Sequence, residues 1–264
     1  MKIKFHTVIV LILGSLGLLT SCSSSQAPTL KVAATSVPHT EILEIVEPDL
    51  KKQQIQLEIV TVEDFNTPNR ALQDKEVDAN FFQHQPFLDA QKTDFGYQLE
   101  SLAAIHLEPM GLYSKKIKSL NELKNGATIA IPSDPTNQAR ALALCQQTGL
   151  IRLKRQDAKA TVLDIAENPK QIKFIEIDSP LLSRALEDVD AAAISTNFAL
   201  QAGLSPQKDI LAIEDAQSLF VNVLVIRSGD EQRADLQALK AALTSDKVKD
   251  FINSRYEGAI LPAF

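Results

Sequence analysis

Short runs rich in Val, Ile and Ala alternate along this chain with longer stretches of helical periodicity, the pattern of an α/β protein. Strands are predicted at 30–35, 55–61, 127–131, 172–177, 191–194, 210–213 and 221–226. Pro38 suits the first turn of a helix, where its missing N–H goes unneeded. Thr67-Pro68 reads as an N-cap followed by proline at the first helical position. Two further helices are predicted near 230–243 and 245–256, with an apolar tail at 258–264.

One internal echo bears on the architecture. Residues 71–79 read ALQDKEVDA and residues 185–191 read ALEDVDA. Each is the end of a helix, a tight acidic turn, and Val-Asp-Ala entering a strand. A solenoid would repeat at a shorter, fixed period, so a single echo at this distance predicts two similar α/β lobes. The apolar stretch 99–113, interrupted by Pro109-Met110-Gly111, reads as a crossover between them, and 219–227 reads as the return. Lobe 1 is then discontinuous, at 29–109 plus 224–264, with lobe 2 at 112–220.

The N-terminus has a different pattern. Lys2 and Lys4 precede an uncharged apolar run that ends in small residues before Cys22, the layout of a secretory signal. That run is shorter than the ~20 apolar residues of a membrane-spanning helix. Leu19-Thr20-Ser21-Cys22 resembles the bacterial lipobox, so residues 1–21 are expected to be a signal peptide and Cys22 the lipidated residue. Residues 22–29 then form the modified cysteine and a Ser-rich tether. Several acyl chains, at ~0.8 kcal/mol per buried CH2, hold a protein on a membrane far more firmly than one.

Composition excludes more than it selects. The 264 residues carry a formal charge of −6, and loss of Lys2 and Lys4 makes the chain more acidic still. Nucleic-acid binding, which needs a basic footprint, is disfavoured. With two cysteines there is no Cys-rich zinc site, and Cys145, in an Ala/Leu-rich helical run, reads as a buried inert thiol. There is no G-x-G-x-x-G, Walker A, H-E-x-x-H, C-x-x-C or G-x-S-x-G pattern. His39, His84 and His106 show no helical ligand spacing and read as hydrogen-bonded or surface residues. No cofactor, no metal and no catalytic activity is expected.

Five segments carry a resemblance: DANFFQHQPFL (78–88), EPMGLYSKK (108–116), AIPSDPTNQARAL (130–142), NFALQAGL (197–204) and the ending GAILPAF. Together they resemble the methionine-binding lipoproteins of the NlpA type, substrate-binding subunits of bacterial methionine ABC importers. The resemblance implies an α/β, two-lobe periplasmic-binding-protein fold with two crossover strands, closing over one amino acid. It implies a monomer held to the membrane by its N-terminal lipid, facing the periplasm or cell exterior, and partnered by the importer's permease and ATPase subunits. Two other readings stay open: a paralogue for another apolar amino acid or short peptide, and a surface lipoprotein with a structural or host-facing role.

Each candidate site residue has a physical case. A zwitterion buried between lobes needs a cation for its carboxylate and acceptors for its ammonium, because unpaired buried charge is costly. Arg140 falls in the first turns of a helix opened by Asp134-Pro135, and its planar fork can take a carboxylate bidentately. Read alone it would be a solvated surface arginine; the resemblance makes it the carboxylate-binding residue. As a ligand-facing side chain it is expected to add little to the stability of the fold. Asn197, at the C-terminal end of a strand, and Asn222, in the returning crossover, align with asparagines that hold the amino-acid head group. Phe65, Phe82, His84 and Phe87 are implied as the side-chain pocket, where sulfur–aromatic contacts contribute ~0.3–1.5 kcal/mol each. Adjacent Phe81 and Phe82 must face opposite sides of a strand, and the resemblance puts Phe81 in the core. His84 either packs on the ligand or ties down the loop. The family usually has tyrosine at Phe65 and Phe87, and Val-Gly-x-Thr where this chain reads Val32-Ala33-Ala34-Thr35. Ser195-Thr196 likewise stand where Asn-Gly or Asn-Thr is common.

Overall fold

The computed structural model describes residues 29–215 and 219–264. The expected signal peptide and Cys22 lie outside the described residues. Thirteen strands run in chain order: β1 Thr29–Thr35, β2 Gln56–Val62, β3 Ala79–His84, β4 Leu99–Leu107, β5 Gly111–Tyr113, β6 Thr128–Pro132, β7 Arg152–Leu153, β8 Ile165–Glu167, β9 Lys173–Ile177, β10 Ala191–Ile194, β11 Ile210–Ile213, β12 Val221–Arg227 and β13 Leu261–Pro262. The α-helices are α1 Glu41–Lys52, α2 Thr67–Gln73, α3 Gln85–Phe95, α4 Pro135–Gln147, α5 Leu182–Ala185, α6 Thr196–Gln201, α7 Ala234–Leu243 and α8 Asp246–Tyr256.

Two main sheets result. The first has the order β13-β4-β12-β3-β1-β2 and the second β11-β5-β10-β6-β9. Each has its own apolar core. Leu30, Val32, Ile42, Leu43, Phe81, Leu224 and Ile252 belong to the first, and Leu112, Ile129, Ile131, Leu142 and Ala193 to the second.

The sequence echo has a structural counterpart. Asp78 donates its N–H to the Lys31 carbonyl and accepts the Lys31 N–H on Oδ2 at 3.0 Å. Asp190 does the same with Thr128, its Oδ2 accepting that N–H at 2.7 Å. In both lobes the aspartate ties the start of one parallel strand to its neighbour, β3 to β1 and β10 to β6. A short carboxylate close to its own backbone can take part in both bonds, although each spans a long stretch of chain.

Four expectations need correcting. The predicted crossover 99–113 is mostly not crossover, because Leu99–Leu107 pairs with β12 and β13 inside the first sheet. Gly111–Tyr113 already belongs to the second sheet, so only Glu108, Pro109 and Met110 pass between them. The return strand likewise joins the first sheet from Val221, ahead of 224. Pro38 does not open a regular helix: Val37 has extended dihedrals, the Val37–Pro38 bond is cis, and α1 begins at Glu41. Thr67 is already helical; the Asp64 carboxylate accepts the N–H groups of Asn66 and Thr67, at 2.7 Å each, in place of a threonine cap.

Candidate functional site

Between the two sheets lies a pocket lined by Phe65, Phe82, Gln83, His84, Phe87, Glu108, Asn137, Arg140, Ser195, Asn197 and Asn222. All seven side chains expected from the sequence are on its wall.

The pieces arrive from both lobes. Phe82 and His84 are on β3, and Asn222 on β12 is the register partner of His84. Phe87 is in the first turn of α3, which begins at the end of β3. From the other side come Asn137 and Arg140 on α4, Ser195 at the end of β10 and Asn197 on α6. Asp134 caps α4 by accepting the Asn137 N–H at 2.9 Å, and Pro135 follows, as the sequence predicts.

Three phenyl rings make one wall. Phe65, Phe82 and Phe87 stand 5.9–6.0 Å apart, centroid to centroid, and Phe65 also meets Phe198 at 5.0 Å. Such offset and edge contacts contribute about 0.5–1.5 kcal/mol each beyond area burial. Phe81 points the other way into the first core, as strand alternation requires.

His84 is a tie between lobes. Its Nδ1 accepts the Phe87 N–H at 3.1 Å and caps α3, which leaves Nε2–H to donate to Asn137 Oδ1 at 3.1 Å. Burial, reinforced by the Arg140 charge, lowers its pKa to about 3, so the ring is neutral.

Arg140 departs from expectation. It is only 3% exposed. Its Nε donates to both Glu214 oxygens at 3.0 Å, and Nη2 donates to Glu214 Oε2 at 2.5 Å and to the Glu108 carbonyl at 2.6 Å. The guanidinium also lies 4.4 Å from the Phe220 ring centroid. It is therefore neither a solvated arginine nor one indifferent to the fold: it clamps both segments that cross between the sheets. Among the described residues, Nη1 has no hydrogen-bond acceptor.

A second polar cluster was not foreseen. His39, His106 and Glu108 bring their ligating atoms within 4.8 Å of one another, all buried. His106 Nε2 lies 2.7 Å from Glu108 Oε1, and Glu108 Oε2 accepts the Asn197 N–H at 2.9 Å. His39 meets Thr35 Oγ1 through Nδ1 at 2.7 Å and Asn222 Oδ1 through Nε2 at 3.1 Å. Burial lowers the pKa of His39 to about 4. For Glu108 burial opposes ionisation, but His39, His106 and Arg140 outweigh it and hold the carboxyl below its ordinary range. A cation could enter this set only by displacing those bonds; as built, it is a hydrogen-bonded anchor for a buried carboxylate and for Asn222.

The family model for NlpA lipoproteins matches residues 30–264. The chain is 40% identical to the methionine-binding lipoprotein MetQ of Bacillus subtilis, over 93% of this chain and 94% of that one. It is 38% identical to the D-methionine-binding lipoprotein MetQ of Escherichia coli K12, over 97% of each. Among solved structures, a nutrient-binding protein of Burkholderia cenocepacia bound to methionine superposes with a TM-score of 0.86 at 41% identity, covering 89% of this chain and 100% of that one. The chain belongs to the NlpA lipoprotein family, with the two-lobe fold of periplasmic substrate-binding proteins.

Proposed function

We propose, from that family membership and the cavity's chemistry, that the chain captures methionine between its lobes and delivers it to an ABC importer. It acts as a monomer, anchored through a lipid on Cys22 and facing the periplasm or cell exterior. Among the described residues no helix is long and apolar enough to cross a membrane.

One observation carries the reading. A single cavity has a charge-compensated polar end and a phenyl end, with walls from both sheets. At the polar end Arg140 Nη1 is the guanidinium nitrogen left over for a ligand carboxylate. Asn222 has its carbonyl on His39, so its amide N–H groups remain to donate. Asn197 contributes a side-chain amide of either sense. Glu108, held ionised, supplies the counter-charge for the ammonium. The thioether then lies among Phe65, Phe82 and Phe87, which present no polar atom to it. A zwitterion adds no net charge to the buried site.

Thermal-shift measurements with the twenty amino acids test this directly. Methionine is expected to raise the midpoint most, since a ligand at 100 times its Kd stabilises by ~2.7 kcal/mol. Asp and Lys are expected to give no shift, because each puts an unpaired charge against the phenyl wall. A shift with only some other amino acid would replace methionine as the ligand, and no shift with any would remove the reading.

A further inference from the structure

Most polar atoms around the cavity already have protein partners; the Ser195 hydroxyl does not. Ser195 is 7% exposed and lines the cavity, yet its Oγ makes no hydrogen bond with any described residue. Its position makes this unusual. Ser195 is the N-cap of α6, where a serine hydroxyl ordinarily accepts the N–H of the second or third helical residue. Here the N–H of Asn197, the second helical residue, is taken by Glu108 Oε2 at 2.9 Å, from the crossing segment. Thr196 in turn donates its hydroxyl to the Pro109 carbonyl at 2.5 Å. The crossing segment thus takes the Asn197 N–H, and the serine hydroxyl is left without a partner among the described residues.

We propose that Ser195 is a ligand-contacting residue whose hydroxyl hydrogen-bonds the charged head group of the bound amino acid. The inference rests on the reading of the cavity as an amino-acid site. Ser195 lines the same pocket and precedes by two residues Asn197, whose N–H is held by Glu108. A hydroxyl there either accepts from the ammonium or donates to the carboxylate. A buried hydroxyl without a partner is costly, and a ligand head group would supply one.

Calorimetric titration of methionine into Ser195→Ala and Ser195→Gly tests this, with Ser179→Ala as a matched control. The Ser179 hydroxyl is likewise buried without a described partner, but it lies outside this cavity. Loss of a hydrogen bond to a charged group is expected to weaken binding roughly 10- to 100-fold. The ligand-free melting temperature should not fall in either Ser195 variant, and the control should bind as the parent does. Methioninamide and 4-(methylthio)butanoic acid then separate the two contacts. A deficit that shrinks with the amide assigns the hydroxyl to the carboxylate, and one that shrinks with the desamino acid assigns it to the ammonium. Affinity within about twofold of the parent, on the RT scale, would overturn the proposal. So would an undiminished deficit with both analogues, or a deficit matched by a lower ligand-free melting temperature in both variants. A parent that binds no amino acid would overturn this proposal together with the broader reading, whereas a parent that binds with unaffected variants would overturn this one alone.

Discussion

Arg140→Ala is expected to weaken methionine binding by roughly 30- to several-thousand-fold, because truncating one member of a buried charge pair typically costs ~2–5 kcal/mol. Unlike a purely ligand-facing change, it should also destabilise the fold. Glu214, whose side chain is 13% exposed, would be left as a nearly buried carboxylate without its cation. The Glu108 carbonyl would lose its Nη2 partner as well. The two effects can be separated. Adding Glu214→Gln to Arg140→Ala removes the stranded charge and should recover much of the melting temperature while leaving methionine affinity low. Arg140→Lys should rescue binding only partly, since a point charge cannot serve Glu214, the Glu108 carbonyl and a ligand carboxylate through one planar fork. Calorimetric titration beside thermal denaturation checks both. Affinity within about threefold of the parent, on the RT scale, would remove Arg140 from the site. An unchanged melting temperature would contradict the clamp between the crossing segments.

The second large effect is on stability against acid. Burial holds His39 at about 4 and His84 at about 3, against an ordinary 6.5. Below pH 6.5 the unfolded chain takes up protons that these buried rings refuse, so stability rises with pH there and falls as the solution is acidified. The loss from His39 accumulates between 6.5 and about 4, and that from His84 continues to about 3. At 1.36 kcal/mol per pH unit of difference, each ring is responsible for a few kcal/mol, a large part of a typical ~5–15 kcal/mol domain stability. Glu108, held below its ordinary range, acts in the same direction once the pH reaches the carboxylate region. Urea midpoints measured at pH 7, 5.5 and 4 should fall steadily. A flat profile would mean that the rings are not buried neutral. His84→Asn should give a shallower slope, because that ring's share of the proton uptake disappears.

What the sequence made legible followed physical range. Runs such as 127–131 and 191–194 announce strands through β-branched and small apolar residues alone. The Asp78 and Asp190 turns could be seen as an echo because the same residue types recur at both, although the partners, Lys31 and Thr128, lie far back in the chain. Leu99–Leu107 was misread as crossover because its membership of the first sheet depends on pairing with β12, far along the chain. The seven residues carried by the resemblance all reach the cavity wall, whereas Glu214 did not stand out and Ser195 did so only as a departure from the family's usual residue. Their roles exist only once the lobes and crossing segments are brought together. Asn137 was within reach: it lies three residues before Arg140 on one helix, a spacing that shares a face. Glu108 was visible within the segment EPMGLYSKK, but nothing in the order of residues says that the distant His39 would join the neighbouring His106 at its carboxylate.

The central claim is that one zwitterionic amino acid fits this cavity with its charges at the arginine end and its thioether among the phenyl rings. A crystal structure of the protein grown with methionine tests that most directly. The account predicts the ligand carboxylate within hydrogen-bonding distance of Arg140 Nη1, the ammonium on Glu108, and sulfur contacting Phe65, Phe82 or Phe87. Methionine bound elsewhere, or lying in this cavity with its head group against the phenyl wall, would contradict it.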